Sequence, residues 1–210
     1  MRRIFLFLSI SSILLFASVT ACGFFGWGSC AFLTDNALYL GSGAIHFGLI
    51  SLALFFLWKG DIKSTMEPLG FPGKPLHVIL FSVATLAAIF VVLLVLGIAS
   101  MLLGFNDQQN VTDKIADLPL IVLIFAALGA PITEELFFRG FLTDKFGIIG
   151  SSLLFGMMHV AYGSLVEVIG AFLIGVVLAI AFKMSKSITP CILAHMAYNA
   201  LAITVMVMFA

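Results

Sequence analysis

Charge is what this chain lacks most. Only 10% of its 210 residues are Asp, Glu, Lys or Arg, against about a quarter in soluble domains. Ten basic and ten acidic residues cancel, so the net charge points to no nucleic-acid or anionic partner. The three cysteines, Cys22, Cys30 and Cys191, show no CxxC or other metal-ligand spacing. No HExxH pair is present, and no internal repeat or low-complexity segment. What remains is 62% hydrophobic with a mean hydropathy of +1.24. That is the composition of an integral membrane protein, and its apolar runs leave no room for a separate soluble domain.

A spanning helix needs roughly 20 mainly apolar residues. By that rule the chain is all-α, a polytopic transmembrane bundle of about seven spans: 4–25, 38–58, 78–104, 119–138, 147–162, 166–183 and 188–209. The first three fall in an N-terminal part, 1–118, and the rest in a core, 119–210. The polar connections are 59–77 and 105–117, the latter with Asn106, Asp107, Gln108, Gln109 and Asn110. Lys and Arg gather on cytoplasmic loops. A cytoplasmic N-terminus puts every basic residue except Lys114 on that side, and the opposite topology reverses this. Arg2-Arg3 followed by an apolar stretch ending at Cys22 resembles a lipoprotein signal. The apolar character continues through Phe24, Phe25 and Trp27, which suits an uncleaved first span or signal anchor better. Cys22 and Cys30 form a disulfide only if both reach the outer face, and free buried thiols are the simpler reading. A prokaryotic plasma membrane fits the compactness and the Arg2-Arg3 start.

Against this background a few polar groups stand out. Glu134, Glu135 and Arg139 lie in PITEELFFRG, His159 in FGMMH, and His195 with Asn199 in HMAYN. An ionisable side chain at the centre of a spanning helix costs roughly 2.5–3.5 kcal/mol on insertion scales, so such residues are functional candidates. Glu135 and Arg139 are an i, i+4 pair with the acid N-terminal, the favourable order. Glu134 projects about 100° away around the helix. One carboxylate is thereby tied to arginine while its neighbour stays free. Pro131 just upstream predicts a kink or local opening. Phe155 shares a face with His159, and His195 shares one with Asn199, each four residues apart.

Each of these has a plainer reading. EExxxR can be a polar cluster at the interface, and a lone intramembrane histidine is usually hydrogen-bonded to a carbonyl. Three complementary sets on three spans favour one buried site. Depth is a check that does not close: with a rise of about 1.5 Å per residue, His195 lies about 10 Å in, Glu134 about 6–8 Å, and His159 nearer 17 Å. A later start, a tilt or a re-entrant fifth span would reconcile them. His46 and His77 read as structural, Glu167 as an outer-interface acid, and Gly150, Gly156, Gly170 and Gly175 as points of close helix approach.

EExxxR at Glu134–Arg139, FxxxH at Phe155–His159 and HxxxN at His195–Asn199, in that order on a hydrophobic chain, resemble the CPBP family of intramembrane proteases. These are the type II CaaX prenyl endopeptidases and bacteriocin-processing (Abi-type) enzymes. The resemblance covers roughly 119–209. It implies an intramembrane endopeptidase acting on a membrane-embedded or lipidated, CaaX-like substrate in the bilayer. Glu134 would then be the base activating water, and Glu135 with Arg139 would shape the site. His159, His195 and Asn199 would position the water or stabilise the oxyanion. No cofactor is expected on that reading; the alternative is zinc held by Glu134, His159 and His195. The rival functions are a non-catalytic scaffold or bacteriocin-immunity protein of the same fold, and a small transporter or proton relay.

Overall fold

The computed structural model describes residues 1–25, 37–116 and 118–209, so a Cys22–Cys30 pairing falls outside it. Every regular element among the described residues is helical. The helices are α1 Arg2–Phe25, α2 Ala37–Leu57, α3 Ile62–Met66, α4 Pro75–Leu102, α5 Gln109–Ala116 and α6 Leu120–Ile124. They continue with α7 Ala130–Phe137, α8 Thr143–Met157, α9 Leu165–Ser185 and α10 Thr189–Phe209. Two compact units result, Met1–Thr65 and Met66–Ala210. Six helical segments are long and apolar enough to cross a membrane. One of them, Leu120–Tyr162, is 43 residues long and contains two of the seven expected spans.

In the first unit α1 and α2 pack through small residues. Ser9, Ser12, Ala44 and Ser51 are buried, and a Cβ on Gly48 would lie 3.4 Å from that of Ser12. The hydroxyls of Ser9 and Ser12 donate to Phe5 and Leu8 carbonyls at 2.8 and 2.9 Å. Backbones can therefore approach closely without leaving a polar group bare. Buried Cys191, in the second unit, is a free thiol.

The second unit is organised by a reversal at Gly147, whose φ of 71° and ψ of −177° break the helix inside α8. That combination is essentially open only to glycine. From Leu120 to Phe146 the chain is one helical arm, widened by π turns at Phe125–Gly129 and Phe138–Leu142. After Gly147 the chain folds back along it. Phe138 and Phe155 meet edge to face at 5.1 Å, and the Thr143 and Ser151 hydroxyls lie 3.2 Å apart. This register explains the depth mismatch. The fourth span does not end near residue 138 but runs on to the reversal, so Glu134 lies deeper than expected. Glu134 precedes Gly147 by about as many residues as His159 follows it, which puts the two at one level of the hairpin.

Helices α8 and α9 then pack at glycine contacts. A Cβ on Gly156 would come within 2.9 Å of the Val168 carbonyl, and one on Gly175 within 3.0 Å of the Ser152 Cβ. Gly170 faces Leu93 and Leu96 at an ordinary 3.4 and 3.5 Å, and Gly150 would meet Phe146 of its own segment rather than another helix. Phe138, Leu142, Phe155 and Ala171 form the core of this junction. Outward residues are apolar and bare, such as Leu94 at 65% and Leu102 at 77% exposure. On a helix of a soluble protein these would be misplaced; facing lipid they are at home.

Two seams close the unit. Near one end Ile188 donates its N–H to Leu69 O at 2.8 Å, and Ser187 Oγ donates to Gly70 O at 2.8 Å. Gly70 has φ 69°, and a Cβ there would lie 2.1 Å from the Lys186 carbonyl, so no other residue fits. At the other end Asp107 caps α9. Its carboxylate accepts from Ser164 Oγ at 2.7 Å and from the Leu165 and Val166 N–H groups. The Ser164 hydrogen bond, with help from the backbone donors, holds the Asp107 carboxyl below its ordinary value of 3.8. A depressed folded pKa means the cap is fully present above the unfolded pKa, and is lost as pH falls through the folded one. The melting temperature of the wild type should exceed that of Asp107→Asn near neutrality, and the gap should close below about pH 4. A gap independent of pH would show that the charge plays no part.

Candidate active site

The π turn at Phe138–Leu142 directs Arg139 inward. Arg139 and Glu135 are 1% and 0% exposed, with Nη1 3.0 Å from Oε1. The pair is out of line for a hydrogen bond, so attraction between the charges holds it. Arg139 Nη2 donates to the Gly175 carbonyl at 3.3 Å, and its guanidinium lies 4.7 Å from the centre of the Phe155 ring. A ring face at that distance attracts a cation. Arginine thus ties the hairpin to α9 at the point where glycine lets the backbones close.

Glu135 Oε1 has a second partner. His195 Nδ1 lies 2.9 Å from it, with both groups buried. A carboxylate only accepts, so Nδ1 carries the proton and points Nε2 the other way. Nε2 faces Glu134 Oε2 at 3.7 Å. That is too long for a direct hydrogen bond. Glu134 is 13% exposed and lacks the arginine contact, so the two adjacent glutamates stand in different surroundings. The spacing predicts this division, and the geometry has it.

His159 sits just past the end of α8. Its Nδ1 donates to the Phe155 carbonyl at 2.9 Å, which leaves Nε2 open. The ring lies against Phe155 at 4.9 Å and stacks on Tyr162 at 6.0 Å. Phe155 also touches His195 at 5.8 Å, so one aromatic ring separates the two imidazoles. Glu134, Glu135, Arg139 and His195 form a continuous polar cluster, with His159 beside it across Phe155.

Asn199 has a different task. Ala130 N–H donates to Phe125 O, five residues back, and Pro131 has no N–H. The Ala126 carbonyl therefore loses both of its usual helical donors. Asn199 Nδ2 donates to it at 3.0 Å. The local opening expected at Pro131 is this π turn, and α10 supplies the missing donor. Asn199→Ala should cost about 1–3 kcal/mol of stability, the penalty of an unsatisfied buried polar group. Asn199→Asp, which offers no amide donor, should cost as much in the same unfolding measurement. If the aspartate variant is as stable as wild type, the amide has no such role.

Zinc would need a third ligand beside the Glu134–His195 pair. Among the described residues no three His, Cys, Asp or Glu side chains converge to hold a metal ion, and His159 stands off beyond Phe155. These donors do not fit the ion, and no step below passes through one. Tyr162 and Glu167 are additions that sequence reasoning missed. Glu167, three residues after Ser164, whose hydroxyl accepts its N–H at 3.0 Å, reads in sequence as an outer-interface acid.

Taken together, the apolar membrane-length helices of the second unit hold a buried carboxylate–imidazole–guanidinium cluster. Residues 116–201 match the family described as "Type II CAAX prenyl endopeptidase Rce1-like". The matched stretch includes all six candidate residues and none of the first unit. No curated protein and no solved structure matches the chain.

Proposed function

We propose that this protein is an intramembrane endopeptidase that hydrolyses a peptide bond of a membrane-embedded or lipidated, CaaX-like protein or peptide with a water activated by Glu134. The observation that carries the reading is Glu134 standing 3.7 Å from His195 Nε2 while Glu135 fixes His195 through Nδ1. A water between Glu134 and the substrate carbonyl gives its proton to the carboxylate as its oxygen bonds to the carbonyl carbon. The resulting oxyanion needs donors held in place beforehand. His195, when protonated on Nε2 and balanced by Glu135, is one; His159, whose Nδ1–H is spent on the Phe155 carbonyl, is the second when its Nε2 is protonated as well. Collapse breaks the C–N bond, and Glu134 returns its proton to the leaving amine.

The fixed pair and the less constrained acid divide the labour. Glu135 keeps the imidazole in one tautomer, and Arg139 faces Glu135 at 3.0 Å as its counter-charge. Glu134, with no arginine beside it, is free to take and return a proton. The Lys and Arg distribution supports a cytoplasmic N-terminus in a cell membrane.

The test is hydrolysis of prenylated and unmodified peptides by the purified protein in lipid nanodiscs, with and without a strong chelator. Glu134-dependent cleavage that survives chelation supports the reading. Binding of peptides without cleavage would favour the scaffold or immunity alternative, and cleavage abolished by chelator and restored by zinc would overturn the glutamate mechanism.

A further inference from the structure

A second polar feature lies in the same unit and has no part in the mechanism above. A cavity of about 210 Å³ opens between α4, the α5 segment, α9 and α10. Its polar lining is Glu167, Tyr198, Gln108 and Thr112, and its walls include Leu93 and Ile174. Small-molecule pockets run from about 300 to 1,000 Å³. This one is sized for a side chain rather than a whole ligand or a lipid tail.

Glu167 is the informative member. It is half-buried within a membrane-length helix. Its backbone N–H is spent on the Ser164 cap, yet among the described residues its carboxylate accepts no hydrogen bond and forms no ion pair. Lys114 is engaged elsewhere: its Nζ donates to the Ala161 and Tyr162 carbonyls, both at 2.8 Å. Asp107 is spent on the α9 cap. The surroundings therefore offer an acid held in no ion pair among the described residues, beside a tyrosine and aliphatic walls. An unpaired acid in a membrane interior is costly and marks a site that a partner completes.

We infer that this cavity is a subsite for a lysine or arginine side chain of the substrate, with Glu167 and Tyr198 receiving its charged end. The aliphatic stem of such a residue suits Leu93 and Ile174, as long basic side chains bury their methylenes and keep the head polar. The location fits a position near the scissile bond. Tyr198 adjoins Asn199 in the chain, and Gly156 and Val168 clamp α8 to α9 one turn away. A charged pair in such a site discriminates by about tenfold or more. The assignment of the occupant to a substrate rests on the protease reading.

The test has two parts. First, peptides carrying Lys, Arg, norleucine, Gln or Glu at each position flanking the cleaved bond are compared as ratios of kcat/KM. Wild type should prefer Lys or Arg over norleucine at one position by about tenfold. Glu167→Gln should bring that ratio close to one, and Glu167→Lys should favour Glu. Second, butylguanidinium and neutral butylurea are titrated against Glu134→Gln and Glu134→Gln/Glu167→Gln, with melting temperature as readout. Butylguanidinium should stabilise only the protein that retains Glu167, and butylurea neither. A basic preference that survives Glu167→Gln, no preference at any position, or equal stabilisation of both proteins overturns the subsite. If no peptide is cleaved but stabilisation depends on Glu167, the protease reading falls and the cation site stands. Competition by phosphatidylethanolamine, absent with phosphatidylcholine, would reassign the site to a lipid amine and overturn the substrate assignment.

Discussion

Glu134→Gln lowers kcat by about 10²–10⁴-fold, the contribution of a positioned acid–base group, and changes KM little. The substitution keeps the size of the side chain and removes only its ability to take a proton. Glu134 has no partner closer than His195 Nε2 at 3.7 Å, so the fold loses little, and the melting temperature should stay within a few degrees. Rate and stability therefore separate at this position. They do not separate at Glu135, whose Oε1 holds both His195 and Arg139. Glu135→Gln should lose activity and stability together. Equal kcat in wild type and Glu134→Gln would remove the base from the mechanism, whatever the substrate.

Arg139→Leu should cost about 3–5 kcal/mol, the penalty of stripping one partner from a buried ion pair. The loss includes the donor to the Gly175 carbonyl and the contact with the Phe155 ring. It leaves the fully buried Glu135 with His195 as its remaining charged partner. The size comes from the orphaned acid more than from the lost attraction. Accordingly Glu135→Gln/Arg139→Met, which removes both charges, should recover much of the stability while staying inactive. Unfolding in mixed micelles checks this. A single variant as stable as wild type would mean the pair is not the anchor of the hairpin.

How far the sequence carried the account depends on the residue. Spacing alone puts Glu135 under Arg139 and turns Glu134 away, because both follow from the pitch of a helix. Gly156 and Gly175 are legible as close approaches for a similar reason: small residues on a membrane helix have few other uses. The level of His159 was not legible. Nothing in Phe138–Leu142 distinguishes a π turn from an α-helix, so an apolar count ends the span too early and leaves Glu134 too shallow. The reversal at Gly147 rests on one glycine among several in a helical pattern. Asn199 is legible as polar and in register with His195, but its partner, the Ala126 carbonyl, exists only because a π turn and Pro131 coincide. Glu167, near the outer end of its span, reads in sequence as an interface acid. Only the packing of α9 beside α4 and α10 exposes its carboxylate to a cavity.

The most direct test of the central claim compares the N- and C-termini of membrane proteins in cells carrying this chain with those carrying Glu134→Ala at matched abundance. The account predicts a set of new termini present only with Glu134, at positions close to lipidated or membrane-embedded segments. Identical termini in both, with any phenotype kept by the variant, would contradict it.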